Sequence, residues 1–210
     1  MSSKYGFLFQ DGDSRVNDPP SMAEESYIAG FREAARILAE HCHSTLNRNT
    51  LVYPLIYNYR HYLELRLKSV LSGLNFYITS NAALHDEDIK KLVFDSHNLD
   101  AIWGKIKFLK SQLDSDDRRC FFDPKLKIKK VDRAIKEMTA IDKGSFAFRY
   151  AYDKSGNPPI PEEIQYISVE NFIIKMDEVA EILEAIDNMI AIGIGYKNEY
   201  EMELNQYLEF

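Results

Sequence analysis

Leu51–Leu71 reads LVYPLIYNYRHYLELRLKSVL. Arg60, Glu64 and Lys68 stand four apart, which puts them on one face of a helix. Leu55, Ile56, Tyr59, Tyr62, Leu63, Leu65, Leu67 and Leu71 cover most of the remaining circumference. A helix that is apolar nearly all round belongs inside a protein. Charges on such a helix must find partners, because an unpaired buried charge is very costly. This stretch therefore predicts a central buried helix whose polar line either joins neighbouring helices or floors a site.

The flanking sequence supplies more helices. Ser21-x-x-Glu24 is a capping box that opens a first helix over 22–43, with Tyr27, Ile28, Phe31, Ala34, Ala35, Leu38 and Cys42 on one face. Asn49 or Thr50 can cap the second helix, with Pro54 in its first turn and Gly73 at its end. A short helix covers 86–94. Ser96 can cap a fourth helix that carries Leu99, Ile102, Trp103, Ile106 and Leu109. The stretch 115–119 breaks the pattern, and Asp123-Pro124 signals a fifth helix to about Ile141. At Phe146, Phe148, Tyr150 and Tyr152 the period changes from 3.6 to 2, a strand signal. A turn at 154–159 and a return strand at 163–169 complete a hairpin that must lie against the helices. A last long helix spans 169–192, stopped by Gly193 and Gly195, with a short helix or tail over 193–210. The reading is a mainly α antiparallel bundle over 21–192, with a small β-hairpin at about 145–169 before the last long helix. Residues 1–20 form a loosely ordered arm.

Composition agrees with one domain. The chain has 210 residues, of which 45% are hydrophobic and 12% aromatic, so a substantial core is available. Two cysteines, Cys42 and Cys120, are too few for a disulfide framework. There is no secretory h-region and no apolar run long enough for a membrane span, so a soluble, cytoplasmic setting with no membrane contact is expected. A net charge of −7 argues against a protein that coats nucleic acid without specificity. The charge is uneven. Residues 105–136 hold 11 Lys/Arg against 5 Asp/Glu, whereas 161–210 hold 2 against 12. The basic stretch could face phosphates, pack on the acidic tail within or between chains, or lie in solvent.

The candidate site residues are Arg60, His61, Glu64, His97 and Arg149. In a cleft, Arg60 would clamp an anion and His61 would act as acid or base. The structural alternative for Arg60, Glu64 and Lys68 is a buried network between helices. His97 follows Ser96 at a helix start, where it could move protons or simply cap. Arg149 could reach a phosphate or Glu64, or pair across the strands with Glu163 or Gln165. His41-Cys42-His43 is not a zinc tract, because i and i+2 diverge by about 200° on a helix. No Gly-rich phosphate loop, CxxC or GxSxG occurs, and no cofactor or metal is expected.

The run Tyr53-Pro54 … Tyr59-Arg60-His61-Tyr62-Leu63-Glu64-Leu65-Arg66-Leu67-Lys68 resembles the second helix of HEPN-type helical domains. His97-Asn98-Leu99 … Trp103 is similar to the head of a later helix in those domains. Phe148-Arg149-Tyr150 resembles their hairpin in a branch found beside bacterial defence and toxin genes. The resemblance implies a bundle of four or more antiparallel helices, often a homodimer, and in many members a metal-independent ribonuclease. The usual signature there is Arg, a polar residue, three to five more residues and then His. Here that spacing occurs only at Arg36–His41 or His43, with Ile37 after the Arg. Two readings result. One is a ribonuclease with an alternative set: Arg60 and Arg149 hold phosphate, His61 or His97 moves protons, and residues 105–136 guide RNA. The other is a dimerising, RNA-associated interaction module that also meets a partner effector protein through its acidic last helix and Tyr200, Tyr207 and Phe210.

Overall fold

The computed structural model describes residues 20–44, 48–80 and 86–208, and helices make up most of them. Among these residues there are helices α1 (Pro20–Ser44), α2 (Arg48–Thr79), α3 (Glu87–Phe94), α4 (Leu99–Gln112), α5 (Ser115–Phe121), α6 (Ile128–Ile141) and α7 (Val169–Leu208). No helix is long and apolar enough to cross a membrane. The arm expected over residues 1–20 lies outside the described residues except at Pro20, as does the Ser21 side chain of the capping box.

α2 is the axis of the bundle. It packs against α1, α3, α4 and α7, and Leu55, Tyr59, Tyr62, Leu63, Leu67, Val70, Leu71 and Leu74 along it are fully buried. α1 runs antiparallel to it: Phe31 meets His61 while Glu25 meets Arg66. The antiparallel expectation fails for α7. Phe172 meets Tyr59, Asp187 meets Ser69 and Lys197 meets Tyr77, so α7 climbs parallel to α2. The α3–α6 segment makes this possible, because it returns the chain to the starting end before α7 begins.

Asp86, Asn98 and Asp114 cap α3, α4 and α5, each accepting two backbone N–H groups. Ser96, the expected cap of α4, instead accepts from the Asn98 N–H. The stretch expected to break at 115–119 is helix α5, with acids in its first turn and Arg118 and Arg119 in its last, in keeping with the helix dipole. Asp123 holds only a single turn, accepting from the Lys125 N–H, and α6 begins at Ile128. α2 begins before Asn49 and Thr50, so Pro54 lies beyond its first turn.

Two glycine stop signals prove to be packing sites. A Cβ at Gly73 would stand 3.1 Å from Ile190 Cγ2, and one at Gly193 would stand 2.7 Å from the Phe121 ring. Small residues let the helices approach there, and both helices continue. α7 therefore runs for 40 residues, through the expected tail.

The expected hairpin at 145–169 does not form, and no strand occurs among the described residues. The Asp142 carboxylate accepts the Phe146 and Ala147 N–H groups, which coils this segment instead of extending it. Phe146 O then accepts from the Arg149 and Tyr150 N–H groups in a helix-like turn. The return segment follows Pro158, Pro159 and Pro161, which cannot donate to a ladder. Ile164, Tyr166 and Ile167 in it are exposed. Two strands alone are marginal, and a carboxylate at their root removes the donors they need.

Candidate functional site

The polar line of α2 ends in a buried hub. Arg60 is 0% exposed. Its Nη1 donates to Glu64 Oε2 at 2.9 Å, and its Nη2 donates to the His97 carbonyl at 2.6 Å and the Asp142 carbonyl at 3.4 Å. Arg60 Nε lies 3.1 Å from Asp142 Oδ2 as an ion contact, without hydrogen-bond alignment. One guanidinium thus ties α2 to the residue that leads into α4 and to the C-cap of α6. Arginine suits this position because its planar fork serves several acceptors at once.

Glu64 carries the hub to the surface. Its Oε1 meets Lys68 Nζ at 3.0 Å and His97 Nδ1 at 2.8 Å. Burial alone would raise the Glu64 carboxyl, but the bonds from His97, Lys68 and Arg60 outweigh it and hold it below the usual carboxylate range. The His97 side chain is 52% exposed. With Nδ1 held by a buried carboxylate, its Nε2 is left for solvent or a ligand.

His61 and Arg149 join through an aromatic ring. His61 stacks on Tyr57, with centroids 5.8 Å apart, and sits edge-on to Phe31. Burial pulls the His61 imidazole below its ordinary value against the pull of Glu64, and Arg60, Lys68 and Arg149 deepen the depression. Exposed Arg149 stands over Tyr57, Phe146 and Tyr150 at 5.4 to 5.8 Å, and its Nε donates to the Ser145 carbonyl. It makes no ion pair among the described residues, so the expected Glu163 partner is not used. The candidates therefore divide by depth: Arg60 and Glu64 lie below the surface, and His61, His97 and Arg149 meet it. The Arg60 guanidinium is fully buried and is engaged by Glu64, Asp142 and the His97 carbonyl.

A second network on the far side of α2 was not singled out from the sequence. Arg66 bridges Glu25 of α1 and Asp187 of α7 at 2.7 and 2.5 Å. Arg32 of α1 pairs with Glu184 at 2.6 Å, and Tyr62 donates to the same carboxylate. Burial would lower the Arg66 guanidinium, but the bonds to Glu25 and Asp187 hold it above its ordinary value. A signal existed: Tyr59, Tyr62, Arg66 and Ser69 have helical spacing, as do Asp177, Glu184 and Asp187. Among the described residues no group of three or more His, Cys, Asp or Glu could hold a metal ion. His41 bonds the Ile37 carbonyl and Cys42 is buried; the His43 side chain lies outside those described.

No family model, curated protein or solved structure matches this chain.

Proposed function

We propose that the chain is a HEPN-like, RNA-associated module of a bacterial defence or toxin–antitoxin type system. Single-stranded RNA is bound on the face formed by Arg149, Tyr57, Phe146, Tyr150, His61 and His97. The observation that carries this reading is the Arg149 guanidinium, without an ion pair among the described residues, set among three aromatic rings at 5.4 to 5.8 Å. Phe146 and Tyr150 are exposed and Tyr57 is half-buried; rings beside a cation offer stacking to bases and charge to phosphate, the usual means of holding unpaired RNA. Arg60, Glu64 and Asp142 make the face rigid from below. The HEPN likeness rests on the α2 and α4 motifs, and the defence or toxin setting on the Phe148-Arg149-Tyr150 motif, which forms a turn here and not a hairpin.

Fluorescence anisotropy with a labelled oligouridine tests the reading. Base–aromatic stacking is worth about 1–3 kcal/mol per base, so Arg149→Ala and Tyr57→Ala each weaken binding at least about fivefold. Binding also falls steeply with salt. Unchanged affinity in both variants, or no binding by the parent chain at micromolar concentration, refutes it.

The His97–Glu64 pair favours a second reading, a metal-independent ribonuclease. Neutral His61 takes the proton of the ribose 2′-hydroxyl as its oxygen forms a bond to phosphorus. The 5′ P–O bond breaks with a proton supplied by His97, leaving a 2′,3′-cyclic phosphate. Arg149 stabilises the charge on phosphorus. Cleavage in chelator that disappears in both His61→Ala and His97→Ala supports this reading, and intact RNA at stoichiometric protein refutes it.

A further inference from the structure

Two complementary surfaces lie at the bundle end where α5 meets α7. The first is a cleft of about 700 Å³ between the end of α4, α5 and the start of α6. Phe122, Leu126 and Ile128 give it an apolar floor. Lys110, Arg119, Lys127 and Lys129 line it and make no ion pair among the described residues. Arg118 is occupied by the Lys110, Ser111 and Leu113 carbonyls, and Lys130 by Glu178. Lys110 sits 4.7 Å above the Phe122 ring. Burial, with Arg118 adding to it, pulls its ammonium below its ordinary value. Cations gathered over carbon repel one another until an anion joins them.

The second surface is the outer face of α7 past the bundle. Its inner side is held by Lys197 Nζ, which donates to the Tyr77 carbonyl at 2.7 Å, and by the Ser80 hydroxyl on Glu201. On the other side Ile192, Tyr196 and Tyr200 are exposed, with Glu199 and Glu203 in the same arc of about 100°. Neither glutamate meets a cation among the described residues. Phe121 of α5 packs on Gly193, so this face starts beside the helix that walls the cleft.

We propose that the acidic, aromatic face of α7 in one copy lies in the α4–α6 cleft of a second copy, and the reverse, giving a two-fold dimer. The contact is a helix in a groove, made twice by symmetry. Charge complementarity selects this occupant. Phosphates would answer the lysines but leave the apolar floor and Ile192, Tyr196 and Tyr200 uncovered, whereas an acidic amphipathic helix answers both surfaces. The contact is separate from the face at Arg149, and its main test, the oligomeric state, is independent of RNA binding there.

Sedimentation velocity of the full chain provides that test, with circular dichroism melting as the check on folding. The parent chain is a dimer at about 100 µM and low salt, and its dissociation constant rises at least about tenfold at 0.5 M salt. Glu199→Lys with Glu203→Lys yields a folded monomer, as does Lys127→Glu with Lys129→Glu. An equimolar mixture of these two variants regains the dimer, because in the mixed dimer the reversed tail meets the reversed cleft and the native tail meets the native cleft. A monomeric parent chain, an unchanged dissociation constant in either variant, or a mixture that stays monomeric overturns the proposal. So does a parent chain that stays monomeric while Lys127→Glu with Lys129→Glu loses oligonucleotide binding, which would make the cleft a phosphate site.

Discussion

Replacing Arg60 by Met measures how strongly the hub holds the bundle. Methionine keeps the length and helix preference of the side chain, so little cavity opens. What disappears is the cation between two buried carboxylates, Glu64 and Asp142, each with a side chain 2% exposed. Removing one member of a buried ion pair costs about 3–5 kcal/mol. The lower end applies here. Glu64 keeps Lys68 and His97, and Asp142 keeps the Phe146 and Ala147 N–H groups. A loss of about 3 kcal/mol is a large part of the 5–15 kcal/mol that stabilises a domain, and it lowers Tm by about 6–12 °C. Urea unfolding followed by the fluorescence of Trp103, the only tryptophan and a buried one, reads the change directly. Arg133→Ala, at the exposed Arg133–Glu137 pair, serves as the control and leaves the midpoint unmoved. A loss below about 1 kcal/mol for Arg60→Met would show that the buried carboxylates do not need the guanidinium, and the argument from burial would fail.

The Glu64 carboxyl is held below its unfolded value, so it takes up its proton more readily in the unfolded chain. Its contribution to stability is complete above about pH 4.5 and declines as pH falls through the folded value. The urea midpoint should drop on acidification in the parent chain, and less steeply in Glu64→Gln; equal slopes would remove Glu64 as the cause. Gly193→Ala gains helix preference but forces a methyl to within 2.7 Å of the Phe121 ring, which is itself packed edge-on to Tyr77. Overpacking of this kind costs about 1–3 kcal/mol, so Gly193→Ala melts lower, while Gly195→Ala, with nothing within 4 Å, melts slightly higher. Equal melting temperatures for the two variants would contradict the close approach of α5 and α7.

The buried rod and its charges were legible because both depend on local period. Leu55, Leu63 and Leu67 have nowhere to go on such a helix but inward, and Arg60 and Glu64 go with them. The hub's third member was not legible. Asp142 looks like an ordinary helix end, and only its folded position sets it against Arg60 and under the Phe146 N–H. Arg66 was passed over for a related reason. It lies on the other side of the rod from Glu64, and its partners Glu25 and Asp187 are 41 and 121 residues away. The same blindness produced the false hairpin: alternation at 146–152 is a preference, whereas a carboxylate that captures two N–H groups decides where the backbone turns.

By itself the sequence determined the helical class, the central place of α2 and the burial of its charges, because periodicity and desolvation act within a few residues. The tertiary structure alone decided that α7 runs parallel to α2, that Gly73 and Gly193 admit a neighbour instead of ending a helix, and that His97 rests on Glu64. Those outcomes depend on which distant surfaces fit together, and close packing between segments far apart in the chain leaves no local periodic trace.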